Sequence, residues 1–169
     1  MSGPGPPLRY HRPDARERDW IRSCQAQTLR ASHGGVAPAE EVAFLDARFN
    51  AALFDERQCV LVIEGQGALV AYELIGYLWL DMSRAPAVSL LDIYVVPHRR
   101  GQGHATATLR RAILHARRAH FTLMVLAVAA TNPALALYEK LGFVRTAEKE
   151  EHGQRWFRME LRLDRDFTR

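Results

Sequence analysis

Two cysteines in 169 residues, Cys24 and Cys59, fall in different predicted elements and match no metal-ligand spacing. A disulfide-stapled secreted fold and a zinc site are therefore excluded as organising principles. No apolar run approaches the roughly 20 residues that cross a bilayer, which speaks against a membrane partner. The chain has no internal repeat, and its aromatic residues do not alternate with its positive ones as a base-stacking surface requires, which speaks against nucleic acid. Residues Met1 to Pro7 are rich in Gly and Pro and lack the apolar segment of a secretory signal. They read as a disordered N-terminal tail over 1–7, and their composition points to a cytoplasmic chain. What is present is an ordinary soluble composition, 48% hydrophobic and 25% charged, in a length that buries about 70% of its unfolded surface as one domain, 8–169. The net charge of +4 and the pI near 9.4 come mostly from dispersed arginines, an excess that one anionic ligand explains as well as a polyanion does.

The segment that points to such a ligand is the run from Leu90 to Thr106. An apolar strand, Leu90-Leu91-Asp92-Ile93-Tyr94-Val95-Val96, stops at Pro97, and Arg99, Arg100, Gly101, Gln102, Gly103, His104, Ala105 and Thr106 lead into a helical pattern. Two cations and two glycines before a helix bring free backbone N–H groups and the positive end of a helix dipole toward one anion. A diphosphate is the leading expectation.

The surrounding pattern alternates strands and helices. Leu8 to Arg12 reads as a strand, and Asp14 with Glu17 forms a capping-box start for a helix reaching about Leu29. After a loop over Ser32 to Ala37, Val42, Leu45, Phe49 and Leu53 place one apolar stripe on a helix from Pro38 to about Phe54. Cys59–Glu64 and Ala68–Leu80 read as strands joined through Gly65, Gln66 and Gly67, and the Asp92 strand follows a loop around Pro86. Ala105, Leu109, Ala112, Ile113 and Ala116 line the next helix, whose Arg110, Arg111, Arg117 and Arg118 face solvent. Thr122 to Val128 has the continuous apolar character of a central strand. Asn132 and Pro133 open a helix to Leu141, which Gly142 ends in a left-handed cap. Phe143–Lys149 and Arg155–Leu163 form a last hairpin around His152 and Gly153.

A glycine pair before a helix is weak on its own, and two familiar phosphate loops fail here. The Walker pattern needs a Gly-Lys-Ser/Thr ending. The dinucleotide fingerprint needs a third glycine where Thr106 stands, and an acid about 20 residues on, whereas Phe121 to Asn132 contains none. What fits is Val95-Val96-Pro97, then Arg100-Gly101-Gln102-Gly103-His104-Ala105, helix, strand, Asn132, and Ala136-Leu137-Tyr138-Glu139-Lys140-Leu141-Gly142-Phe143. This resembles the GNAT family of acetyl-CoA-dependent N-acetyltransferases. Arg100, Gly103 and Ala105 meet its Gln/Arg-x-x-Gly-x-Gly/Ala signature, a second signature lies at the family's distance downstream, and the element order agrees from Leu8 to Leu163.

The resemblance implies an α/β (α+β) fold: a twisted, mostly antiparallel sheet of six or seven strands, about four helices, and a V-shaped splay between strands 4 and 5. It implies acetyl-CoA as cosubstrate and no metal. The pantetheine would meet the backbone of Ile93, Tyr94 and Val95, and the pyrophosphate the N–H groups of Gly101 to Thr106, with Asn132 and Tyr138 beside the cofactor. Tyr138 would donate to the leaving thiolate. Reference values of about 10 for a phenol and about 8.5 for a thiol make full proton transfer uphill by roughly 2 kcal/mol, so a hydrogen bond suffices. A backbone N–H of the fourth strand, at Val95, is the expected oxyanion donor.

An aliphatic amine costs about 4 kcal/mol to deprotonate at pH 7, yet the positions where relatives carry a glutamate hold Leu126 or Ala127 on the fifth strand and Ser89, Leu90 and Leu91 on the fourth. Asp92 remains as a water-mediated base or an anchor for a cationic amine. A purely structural carboxylate, and catalysis with no protein base, stay open. The acceptor is expected to be a cationic small molecule, since His33, Glu40 and Glu41 in one loop and Glu148, Glu150, Glu151 and His152 in another supply acidic charge. A protein N-terminus or lysine, or a non-catalytic acyl-CoA sensor, are the alternatives. The family's frequent pairing leaves a homodimer open.

Overall fold

The computed structural model describes residues 7–32, 35–67, 72–151 and 153–164. The expectations that fall on Met1 to Pro6, on His33 and Gly34, on the first residues of the 68–80 strand and on His152 lie outside these described residues. Strand β1 (Leu8–His11) is followed by helices α1 (Ala15–Ser32) and α2 (Ala39–Ala52), then β2 (Gln58–Gln66), β3 (Tyr72–Arg84) and β4 (Ala87–Val95). A short 3-10 turn over Pro97–Arg99 leads to α3 (His104–Arg118), β5 (Leu123–Ala129), α4 (Leu135–Lys140), β6 (Val144–Glu151) and β7 (Gln154–Arg162). The seven strands form one sheet in the order β1-β2-β3-β4-β5-β7-β6, antiparallel except for the β4–β5 pair.

Local sequence signals account for most boundaries. Asp14 and Glu17 make a reciprocal capping box: the Asp14 N–H donates to Glu17 Oε2 at 2.7 Å and the Glu17 N–H to Asp14 Oδ1 at 2.9 Å, satisfying two orphan donors at once. Gly142, at φ +93, ends α4 in a Schellman motif. The Phe143 N–H reaches the Tyr138 carbonyl and the Gly142 N–H that of Glu139. The same motif ends α3 with His120 in the left-handed position, φ +63, where glycine is the cheaper residue.

Three boundaries differ from the sequence reading. Strand β3 runs on to Arg84 and β4 begins at Ala87, because Ala85 and Pro86, joined by a cis peptide bond, make a tight turn instead of a longer loop. The β2–β3 turn lies beyond Gln66, with Gly65 inside the strand opposite Glu73. Helix α4 starts at Leu135, and the Asn132 side chain accepts the Ala134 N–H at 2.8 Å one step ahead of it, so the cap acts on the turn that precedes the helix.

Two cores flank the sheet. One joins α3 and α4 to β3, β4, β5 and β7 through residues such as Leu78, Leu80, Leu109, Met124 and Met159. The other joins α1 and α2 to β2 and β3 through Ile21, Phe49, Val62, Tyr77 and Trp79. The alternation of Tyr77 and Trp79 with Leu78 and Leu80 along β3 serves both cores at once.

Candidate active site

Strands β4 and β5 pair for only three residues, Ala87 with Leu123, Val88 with Met124 and Ser89 with Val125. From Leu90 onward they part, while β4 keeps its ladder to β3 and β5 its ladder to β7. The result is the V-shaped splay that the family resemblance implied. Because the Val96 N–H donates to the Ile75 carbonyl of β3 at 2.8 Å, alternation turns the N–H and C=O of Ile93 and Val95 to the open edge. The Val95 carbonyl is taken by Arg100 Nε at 2.8 Å, which leaves its N–H directed into the cleft.

The loop after β4 is shaped by two left-handed glycines, Gly101 at φ +74 and Gly103 at φ +82. A Cβ placed on either would meet nothing within 4 Å, so the constraint there is the backbone conformation and the space beside it is open. After Arg100, whose N–H reaches the Pro97 carbonyl at 3.2 Å, the next N–H to return to a carbonyl is that of Ala107, to Gly103 at 2.9 Å. Among the described residues, the N–H groups from Gly101 to Thr106 have no such acceptor. A tier of free donors at the start of a 15-residue helix fits a pyrophosphate in its donor chemistry and in its open space.

The two arginines of this loop part company. Arg99 is tied back to the β2–β3 hairpin, donating to Glu73 Oε1 at 2.6 Å and to the Gln66 carbonyl at 2.9 Å, so it braces the fold. Arg100 lies over the Tyr94 ring, 5.5 Å from its centroid. Gln102 is exposed, and Ala105 and Thr106 are half-buried on the first turn of α3. His104 is buried, with Nε2 3.3 Å from Gln102 Oε1. Burial and the Arg99 charge hold its pKa below the ordinary value, which keeps the ring neutral at the head of the helix.

Tyr138, on α4, is 7% exposed and packs edge-on against Phe143 at 5.8 Å between centroids. Burial, and secondarily the Asp92 charge, push its pKa up to about 12. The phenol is therefore a proton-bearing donor throughout the physiological range, and its sensitivity to Asp92 places the two groups in one electrostatic neighbourhood. Asn132 is exposed at the turn before α4, its side-chain oxygen already used by Ala134.

Asp92 owes its orientation to a β-bulge. Trp79 pairs with Asp92 and Leu80 with Leu90, so Leu91 is an extra residue on β4. A bulge sends two successive side chains to one side. Leu91 packs on the α1–α2 core and Asp92 follows it, whereas strict alternation would have returned Asp92 to the face of Leu90. There Tyr77 Oη donates to Asp92 Oδ2 at 2.6 Å. Burial raises the carboxyl pKa, opposed by Tyr77, Gln25 and the Ile93 N–H. Tyr77 carries no sequence signal beyond β-propensity, and the bulge leaves none, so sequence reasoning missed both.

The acidic loops are less concentrated than their sequence suggests. Glu40 and Glu41 occupy the first turn of α2, where the helix dipole accounts for them. Glu148, Glu150 and Glu151 lie along the exposed β6, with Glu150 opposite Arg155 and Glu151 bonded to Lys149 at 2.5 Å. No helix among the described residues is long and apolar enough to cross a membrane.

Comparison with known proteins places these features in context. Residues 17–143, most of the chain, match the profile of the acetyltransferase (GNAT) family. The chain is 31% identical over 147 residues to the mycothiol acetyltransferase of Paenarthrobacter aurescens (strain TC1), covering 83% of this sequence but only 43% of that protein; it spans less than half of that relative. The spermidine N-acetyltransferase of Vibrio cholerae, solved with CoA and spermine, superposes with a TM-score of 0.71 at 22% identity, covering 92% of this chain and 95% of the other. The ribosomal-protein-S18-alanine N-acetyltransferase of Escherichia coli gives a TM-score of 0.70 at 17% identity, covering 96% and 97%. At these identities the two structures share the fold.

Proposed function

Because the chain belongs to the GNAT acetyltransferase family, we propose that it moves the acetyl group of acetyl-CoA onto a primary amine by direct attack within a ternary complex, the acceptor being a cationic small molecule. The observation that carries this reading is the free tier of N–H groups from Gly101 to Thr106 at the mouth of the β4–β5 splay. The tier would hold the pyrophosphate, and the open edge of β4 at Ile93 and Val95 would guide the pantetheine so that the thioester lies between Asp92 and Tyr138; the expected contact at Tyr94 falls away because its backbone groups are turned to β3.

The amine nitrogen attacks the thioester carbon, the C–S bond breaks, and the sulfur leaves as thiolate. The Val95 N–H is the donor suited to the carbonyl oxygen as charge develops there. With Tyr138 at about 12 and a thiol near 8.5, complete proton transfer to sulfur is uphill by about 5 kcal/mol. Tyr138 therefore stabilises the thiolate through a hydrogen bond. The ammonium sheds one proton before attack, to Asp92 beside the open edge of β4 or to water while Asp92 anchors it, and the nitrogen loses its second proton, to solvent or to the departing thiolate, as the tetrahedral intermediate collapses.

The choice of a cationic acceptor rests on Asp92, the acidic side chain beside the open edge of β4. The similar folds named above act, by their names, on a polyamine and on the alanine of a ribosomal protein, so both small amines and peptide N-termini belong in the test. A free-thiol assay with acetyl-CoA against diamines, polyamines, aminoglycosides, amino acids and short peptides checks the reading. CoA release dependent on a small cationic amine is expected. Release only with peptides would move the acceptor to protein N-termini or lysines, and binding without release across the panel would favour an acyl-CoA sensor.

A further inference from the structure

Tyr77 is 1% exposed in the middle of β3, and its hydroxyl donates to Asp92 Oδ2 at 2.6 Å. That length belongs to O–H donation onto a charged oxygen. The ring cannot turn away. It stacks on Tyr94 at 5.6 Å and 16° and meets the edge of Trp20 at 6.1 Å and 90°. Beside it lies Gln25 of α1, 4% exposed, whose side-chain amide also interacts with the Asp92 carboxylate. The Ile93 N–H supports the same carboxylate from β4.

We infer that Tyr77 is the positioning residue of the acceptor side, its buried hydroxyl fixing the Asp92 carboxyl group at the edge of the cleft, where it meets the incoming amine. The inference rests on the acetyl-transfer reading above. The groups around Asp92 come from every element packed there: Tyr77 from β3, Cys24 and Gln25 from α1, Tyr94 from β4 with Arg100 behind it, and Tyr138 from α4. Helix α2 brings Arg48, which lies over the Trp79 ring at 5.7 Å. Cys24 and both other tyrosines are held neutral by raised pKa values, so Tyr77 is the contact through which Asp92 gains its strongest stabilisation as an anion. The sign follows: donation to the carboxylate lowers its pKa, and loss of the hydroxyl raises it.

The test is Tyr77→Phe, read first by carbon NMR titration of the Asp92 carboxyl in the full chain without any substrate. An upward shift of about one to two pH units is expected from losing a charged hydrogen bond, with the acid limb of kcat/KM for the best amine of the panel moving by the same amount. Incorporating 3-fluorotyrosine at position 77 keeps the ring and strengthens the donor, and moves the carboxyl pKa the opposite way. An Asp92 titration unchanged in both variants overturns the inference, as does a shifted titration with an unmoved acid limb. If the wild-type chain releases no CoA with any amine while the NMR shift is present, the transfer reading has failed and the Tyr77–Asp92 contact has not.

Discussion

The mouth of the cleft and its α1 flank are built from different material. At the mouth, from Gly101 to Thr106, the groups offered to a ligand are backbone N–H donors, and side chains there are exposed, small or turned aside. On the flank the groups on offer are side chains, Asp92 held by Tyr77 of β3 and neighboured by Gln25 of α1. The two should fail differently. A backbone cradle depends on dihedral angles and tolerates changes of side chain that respect them, whereas the flank depends on single atoms whose loss leaves the backbone untouched.

The largest effect expected falls between the two regions. Tyr138→Phe should lower turnover by about 100-fold or more while leaving acetyl-CoA affinity nearly unchanged; steady-state kinetics beside calorimetry would show it, and equal losses in both would assign the tyrosine to packing. Next comes the mouth. Gly103→Val forces a branched side chain into φ +82, a strain of about 1–2 kcal/mol, and should weaken acetyl-CoA binding about tenfold with amine specificity retained. The flank answers to pH instead. Burial holds the Asp92 carboxyl above its ordinary value, so the folded state binds that proton more tightly than the unfolded chain does. Stability should be fully present below the ordinary carboxylate pKa and fall as pH rises through the raised one. Asp92→Asn should flatten that part of the denaturation profile. The smallest effect lies outside both regions: His120→Gly relieves the left-handed residue after α3 and should raise the melting temperature by about 2–4 °C without altering kinetics.

The mouth was legible in the sequence because glycines and a helix start write backbone conformation directly. Gly101, Gly103, Gly142 and the Asp14–Glu17 cap all sit where their local chemistry put them. The order of elements along the chain was legible in periodicity and turn residues, whereas the splay came from the family resemblance alone. The flank was half legible. Asp92 stood out as an acid in an apolar strand, but its direction depends on the bulge at Leu91, and its partner lies 15 residues away on β3. Register between strands is a tertiary property, and no local spacing announces it. Arg99 was misleading for a related reason. Beside two glycines it reads as a phosphate ligand, yet Glu73 and the Gln66 carbonyl lie within its reach only after the β2–β3 hairpin has formed.

The measurement that bears most directly on this account is calorimetric titration of the full chain with acetyl-CoA, repeated with Gly103→Val and with Tyr138→Phe. Saturable binding that Gly103→Val weakens about tenfold and Tyr138→Phe leaves intact is the predicted result. No saturable binding by the wild-type chain, or binding indifferent to Gly103→Val, would contradict the claim that the free N–H groups after β4 hold the pyrophosphate.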